Sequence, residues 1–165
     1  MTDNSALDIL KNAILLEKRG QSFYQTAANQ SQNSDVREFF ETMAAEEVQH
    51  VKILSDQFKA LKETGKFKTA DRSQLSTISQ NVLTPEVMAR IAAADFEAAA
   101  ISAAMLMEER AISLYAQRGG ETQDPQEKKL YQWLADWEKE HLEFLAGIDA
   151  ELRERIWNDR GFWPF

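Results

Sequence analysis

No cysteine occurs anywhere in the 165 residues. That excludes disulfides, thiolate zinc sites, c-type haem attachment and Cys-ligated iron–sulfur centres. Positive charge is also scarce: 19 Lys and Arg against 27 Asp and Glu give a net charge of −8. Nucleic acid and anionic membrane surfaces are recognised by basic patches, so neither is an expected partner. No apolar run is long enough to span a bilayer; the Ala-rich stretch of residues 92–104 is broken by Asp95 and Glu97. The opening Met-Thr-Asp-Asn-Ser has neither a basic n-region nor an apolar h-region, and a cytoplasmic location is expected. Histidine occurs twice, at His50 and His141.

Both histidines belong to one pattern. Glu17, Glu47 and His50 fall on Glu108, Glu138 and His141 when the chain is shifted by 91 residues, with no gap. The correspondence extends outward. Leu16-Glu17-Lys18-Arg19-Gly20-Gln21-Ser22-Phe23-Tyr24 lies over Met107-Glu108-Glu109-Arg110-Ala111-Ile112-Ser113-Leu114-Tyr115. Phe40 to Ala44 lies over Tyr131 to Ala135, and Leu54 over Leu145. Two copies of a helix–turn–helix unit explain this; a solenoid would show a shorter period and more copies.

The length suits one domain, and 44% hydrophobic residues suffice for a packed core. The spacing predicts four long helices. The first runs from an N-cap at Ser5 to about Ala28, with Leu10, Ile14, Glu17, Gln21, Tyr24 and Ala28 on one face. The second starts at Ser34, places Asp35 in its first turn, and carries Phe40, Met43, Glu47, His50 and Leu54 on one stripe up to Gly65. Thr84-Pro85-Glu86 reads as the start of the third, with Pro85 at the first helical position. Its stripe is Ile101, Met105, Glu108, Ile112 and Tyr115; it ends by Gln117, before Gly119-Gly120. Asp124-Pro125 opens the fourth, with Leu134, Glu138, His141, Leu145 and Ile148 facing inward, and it frays from Asn158 to Gly161.

Short connections make helices one and two, and three and four, antiparallel hairpins, about residues 5–64 and 85–155. The polar stretch 65–84 is long enough to cross the bundle. One long crossover in an all-α four-helix bundle is the ferritin-like arrangement. The bundle is expected over residues 1–155, followed by an aromatic tail, 156–165, that docks on the bundle or on a second chain.

Each helix thus carries a glutamate at an interior position. A lone buried carboxylate is costly and takes up a proton instead, and four together repel one another. Two divalent cations balance four carboxylates. A histidine three residues after a glutamate shares its helix face, so each Glu-x-x-His serves one site. Carboxylate and imidazole without thiolate suit iron or manganese, with zinc as a substitute. Glu46, Glu109 and Glu140 adjoin these residues but leave the stripe, and read as solvated surface; Glu97 reads as a partly exposed helix residue. Tyr24 and Tyr115 each follow a stripe glutamate by seven residues, placing them for a hydrogen bond to a ligand carboxylate and a one-electron role, or for plain core packing. Met105 and Met107 read as core filler, and Trp133, Trp137, Trp157 and Trp163 as packing residues.

The segments Leu16 to Gly20 with Phe23-Tyr24, and Ala135-Asp136-Trp137-Glu138-Lys139-Glu140-His141, resemble the rubrerythrin (erythrin) domain of the ferritin-like superfamily over nearly the whole chain. The resemblance implies a diiron centre. Glu17 and His50 would bind one iron, Glu108 and His141 the other, and Glu47 and Glu138 would bridge them. It implies oxidation of the diferrous pair by peroxide or dioxygen, an external electron donor, a role in oxidative stress or iron handling, and a homodimer or higher homo-oligomer. Two features depart from that family. There is no Cys-ligated rubredoxin segment. The family's further glutamate, one turn after Glu108, is Ala111 here, and its repeat mate is Gly20. The remaining set of six resembles that of bacterioferritin, but Val48 stands at the bacterioferritin haem-methionine position, so no haem is expected. A ferroxidase or iron-storage protein, and a diiron hydroxylase of an organic substrate, are the alternative functions.

Overall fold

The computed structural model describes residues 3–69, 84–86 and 98–158. Four long helices account for most of them: α1 (Asp3–Gln30), α2 (Ser34–Thr64), α3 (Ala98–Glu121) and α4 (Pro125–Asn158). α1 packs along α2, α3 along α4, and α1 touches α3. This is an all-α, ferritin-like four-helix bundle.

Local chemistry sets the helix ends. Asn33, in extended backbone, accepts from the backbone N–H groups of Asp35 and Val36 and caps α2. Gly65 closes α2 in the left-handed region at φ 69°, and its N–H reaches Leu61 O. Asp124 caps α4 by accepting from Gln126 N at 2.8 Å and Glu127 N at 3.0 Å, with Pro125 at the first helical position.

Two boundaries differ from the sequence reading. α1 begins at Asp3, so Ser5 lies inside the helix. α3 does not stop before its glycine pair but runs to Glu121. A Cβ on Gly119 would make only ordinary contacts, with Gln132 Cγ at 3.5 Å and Tyr131 Cβ at 3.7 Å, so this glycine faces α4 from within the helix rather than forming a turn. The expected crossover, the part of the expected third helix before Ala98 that includes Glu97, and the expected tail beyond Asn158 with Trp163 fall largely or wholly outside the described residues.

The turn between α3 and α4 carries a buried polar knot. Arg118 Nε donates to Glu127 Oε1 at 2.7 Å and Arg118 Nη2 to Glu127 Oε2 at 3.0 Å, while the Thr122 hydroxyl also donates to Glu127. The bidentate geometry fixes the register of the hairpin.

The core lies in two apolar lobes. One gathers Tyr24, Phe40, Met43, Ile101 and Leu145; the other gathers Leu10, Leu54, Tyr115, Tyr131 and Leu134. Repeat mates fall in opposite lobes: Tyr24 against Tyr115, Phe40 against Tyr131, Leu54 against Leu145. The six repeated glutamates and histidines are buried and belong to neither lobe.

Candidate metal centre

All four helices contribute to this polar layer. Glu17 comes from α1, Glu47 and His50 from α2, Glu108 from α3, and Glu138 and His141 from α4. None exceeds 3% exposure. One helical turn separates glutamate from histidine in α2 and in α4, so each pair faces the same interior point.

Two overlapping groups result. Glu17, Glu47, His50 and Glu138 present ligand atoms within 4.8 Å of one another, and so do Glu47, Glu108, Glu138 and His141. Glu47 and Glu138 belong to both. His50 Nδ1 lies 2.8 Å from Glu138 Oε1, 3.2 Å from Glu17 Oε2 and 3.3 Å from Glu47 Oε2. His141 Nδ1 lies 3.0 Å from Glu138 Oε2, 3.7 Å from Glu108 Oε1 and 3.9 Å from Glu47 Oε1. The two imidazoles stand 5.8 Å apart, inclined by 23°.

Tyr24 and Tyr115 reach across the bundle. The Tyr24 hydroxyl donates to Glu108 Oε1 and the Tyr115 hydroxyl to Glu17 Oε1. Each tyrosine therefore serves the glutamate of the other repeat, not the one on its own helix. The geometry displays both the core packing and the hydrogen bond expected of them, since each ring lies in an apolar lobe while its hydroxyl meets a site carboxylate.

Glu46 corrects the sequence reading. It is fully buried rather than solvated. Its Oε2 accepts from Trp137 Nε1 at 3.0 Å and from His141 Nε2. Stripe arithmetic places residue 46 a step off the centre line of α2, and it missed that this flank of the helix faces α4. A signal was present in the repeat: the mate of Glu46 is Trp137, itself only 4% exposed. Trp137 is thus more than packing, since its indole N–H satisfies one lone pair of a buried acid. Glu109 is exposed as expected, whereas Glu140 is half-buried.

The titration behaviour follows from burial and crowding. Burial, then the Glu17 and Glu138 carboxylates, raises Glu47 well above the usual range. Burial, then Glu138, lifts Glu108 to about 7. Burial would lower both histidines, but Glu138 and Glu17 around His50, and Glu108, Glu138 and Glu46 around His141, carry them well above the usual imidazole value. Glu138 moves the other way: burial opposes its ionisation, and His50 and His141 override it. Protons thus neutralise this cluster when no cation does.

A cation pair fits the residues on chemical grounds. Glu47 Oε2, both carboxylate oxygens of Glu138 and His141 Nδ1 are buried and make no aligned hydrogen bond, although His50 Nδ1 and His141 Nδ1 stand 2.8 Å and 3.0 Å from the two Glu138 oxygens. These are electron-pair donors, and buried donors of this kind are normally satisfied. A narrow cleft lined by Leu16, Glu17, Gly20, Glu47, Met107, Glu108 and Ala111 reaches three of the carboxylates, with room for about one water-sized molecule. Gly20 and Ala111, the repeat mates that lack long side chains, leave it open; a Cβ on Gly20 would already touch Glu47 Cδ at 3.4 Å.

Among the described residues, no helix is long and apolar enough to cross a membrane. The family profile for Rubrerythrin matches residues 8–148, which include all six repeated glutamates and histidines, both tyrosines and Glu46. No curated protein and no solved structure matches the chain.

Proposed function

Because the chain belongs to the rubrerythrin family, we propose that it is a non-haem diiron-carboxylate protein whose ferrous pair is oxidised by peroxide or dioxygen, with electrons from an external donor. Glu17 and His50 would hold one iron, Glu108 and His141 the other, and Glu47 and Glu138 would bridge. The observation that carries this reading is the sharing of Glu47 and Glu138 by two otherwise separate four-residue groups.

When bound, two ferrous ions supply two electrons together to an O–O bond. The chain does the rest. The four carboxylates that would hold two divalent ions match the charge of those ions, and their protons leave as the ions bind. The Tyr24 and Tyr115 hydroxyls hold Glu108 and Glu17 in orientation from behind. Glu46 fixes the His141 ring by accepting a hydrogen bond from its Nε2–H, which leaves Nδ1 facing the site. The cleft lined by Gly20 and Ala111 reaches Glu17, Glu47 and Glu108 with room for about one water-sized molecule, which suits a small oxidant better than an organic substrate. Carboxylate and imidazole also accept manganese or zinc.

The cleft favours one further reading. Three of its lining residues, Glu17, Glu47 and Glu108, are acids that an incoming cation would meet. A ferroxidase, with iron as substrate, would use the same opening. Iron that leaves after oxidation marks the ferroxidase; iron that stays and cycles marks the oxidoreductase.

The test is an anaerobic Fe(II) titration of metal-free protein, read as bound metal per chain. Saturation near two, lost when Glu138 and His141 are both replaced by alanine, is the expected result. Saturation near zero in the folded wild-type protein refutes the diiron reading.

A further inference from the structure

Glu46 and Trp137 are repeat mates of unlike chemistry, and they meet. Trp137 Nε1 donates to Glu46 Oε2, the oxygen that also accepts a hydrogen bond from His141 Nε2. The same indole stands edge-on to His50, with ring centroids 4.3 Å apart at 82°, and 6.5 Å from the His141 ring. Trp133 lies against its outer side at 5.2 Å and 54°. Trp137 is 4% exposed, whereas Trp133 is only partly buried. Aromatic contact therefore runs unbroken from the protein surface to both imidazoles.

Among the described residues the tyrosines reach no redox-capable ring at the surface, since the partly buried ring beside Tyr24 is Phe23. Tyr24 and Tyr115 are fully buried, and so is Tyr131, which stacks on Tyr115 at 5.7 Å. Their redox-capable rings end inside the bundle.

We propose that Trp133 and Trp137 form a one-electron relay between an external reductant and the metal pair. The relay rests on the diiron reading above. Electron counting gives it a purpose. Reduction of dioxygen to two waters takes four electrons and four protons, and two ferrous ions provide only two of the electrons. Trp137 gives one electron toward the site while its Nε1 proton shifts along the existing hydrogen bond to Glu46. An electron from Trp133 and the returning proton restore Trp137. A one-electron reductant in solution then restores Trp133 and is itself oxidised by one electron. Two such passes supply the missing pair, and the four protons are taken up from the buffered solvent. Peroxide needs only two electrons, which the ferrous ions already hold. The relay is therefore needed for dioxygen and idle for a single equivalent of peroxide.

The experiment uses the full chain, labelled with ring-deuterated tryptophan and loaded anaerobically with Fe(II). It is mixed with dioxygen without reductant, freeze-quenched, and read by electron paramagnetic resonance. The expected result is a radical signal narrowed by the indole deuterium, absent when one equivalent of hydrogen peroxide replaces dioxygen. Ascorbate added afterwards quenches the signal. Trp133→Phe, which keeps the Trp137–Glu46 hydrogen bond, slows that quenching by about tenfold with iron per chain unchanged, and Trp133→Tyr restores part of the rate. A packing role for Trp133 would not move the quenching rate. Iron that binds and is oxidised by dioxygen without an indole radical overturns the relay alone, as does equal quenching in Trp133→Phe and wild type. Failure to bind iron overturns the diiron reading and the relay with it.

Discussion

The Nε2 proton of His141 is held by the fully buried carboxylate of Glu46, and His50 has no such partner. The repeat would place that partner at residue 137, where an indole stands instead. The two halves of the site, alike in their glutamates and histidines, differ in what lies behind their imidazoles. A carboxylate behind a ligating histidine orients the ring and raises its basicity. Glu46→Gln should therefore weaken binding of one metal equivalent by about 10–100-fold and leave the other nearly unchanged. A Mn(II) titration resolving two steps checks this; equal weakening of both steps would contradict it.

The Tyr115 hydroxyl donates to Glu17, a carboxylate only 3% exposed. Tyr115→Phe removes that donor and leaves the ring packing in place. The metal-free protein should lose about 1–3 kcal/mol, a fall in Tm of about 2–4 °C per kcal/mol at this chain length. Thermal unfolding followed by circular dichroism measures it. A double-mutant cycle with Glu17→Gln should show coupling, whereas a cycle pairing Tyr115→Phe with Glu108→Gln should show much less, because Glu108 is the partner of Tyr24.

Gly20 sits in the interior of α1, where glycine is unfavourable on conformational grounds alone. A Cβ there makes an ordinary 3.4 Å contact with Glu47 Cδ. Gly20→Ala should stabilise the protein by about 0.5–1 kcal/mol and leave metal stoichiometry intact. Gly20→Leu should close the cleft, slowing oxidation of the bound ferrous ions while the number of ions bound stays the same. Stopped-flow absorbance after mixing with dioxygen separates the two variants.

Arg118 and Glu127 are both buried and joined by two hydrogen bonds. Truncating one partner strands a charge in the interior. Arg118→Ala should cost about 3–5 kcal/mol, whereas the paired apolar replacement Arg118→Met with Glu127→Leu should recover most of it. Urea unfolding of the two variants tests the difference, and a double variant no more stable than the single one would contradict it.

Much of this molecule is written in two periodicities. The stripe carrying Phe40, Met43, Glu47, His50 and Leu54 is buried at every position, as is that carrying Leu134, Glu138, His141, Leu145 and Ile148. The helical period names the inward face, and the 91-residue repeat names which inward residues act together. Neither rule sees contacts that depend on how two helices are rotated against each other. Glu46 and Trp137 lie on the flanks of their helices, where burial depends on the neighbour rather than on the stripe. Gly119 shows the same limit: two adjacent glycines read as a stop, but Gly119 is buried inside α3, facing Gln132 and Tyr131 of α4. The cross-bundle pairing of Tyr24 with Glu108 and Tyr115 with Glu17 likewise needs the third dimension, since along the chain each tyrosine follows the other glutamate.

Metal binding should be strongly pH-dependent, and the direction follows from Glu108. Burial, then the Glu138 carboxylate, sets its value in the metal-free protein at about 7. Below that pH the carboxyl holds a proton that a metal ion must displace; above it the carboxylate is already free. Affinity therefore falls as pH drops through about 7, by about tenfold per unit for this proton alone. His50 and His141 are raised as well, so protons leaving the imidazoles steepen the dependence. Calorimetric Mn(II) titrations between about pH 6 and about pH 8, in buffers of different ionisation enthalpy, give both the affinity and the protons released. Net release of protons with weaker binding at the lower pH is the expected outcome. A pH-independent Kd with no proton release would mean that the carboxylates are not displaced from their protons by the ion, and that the metal binds elsewhere.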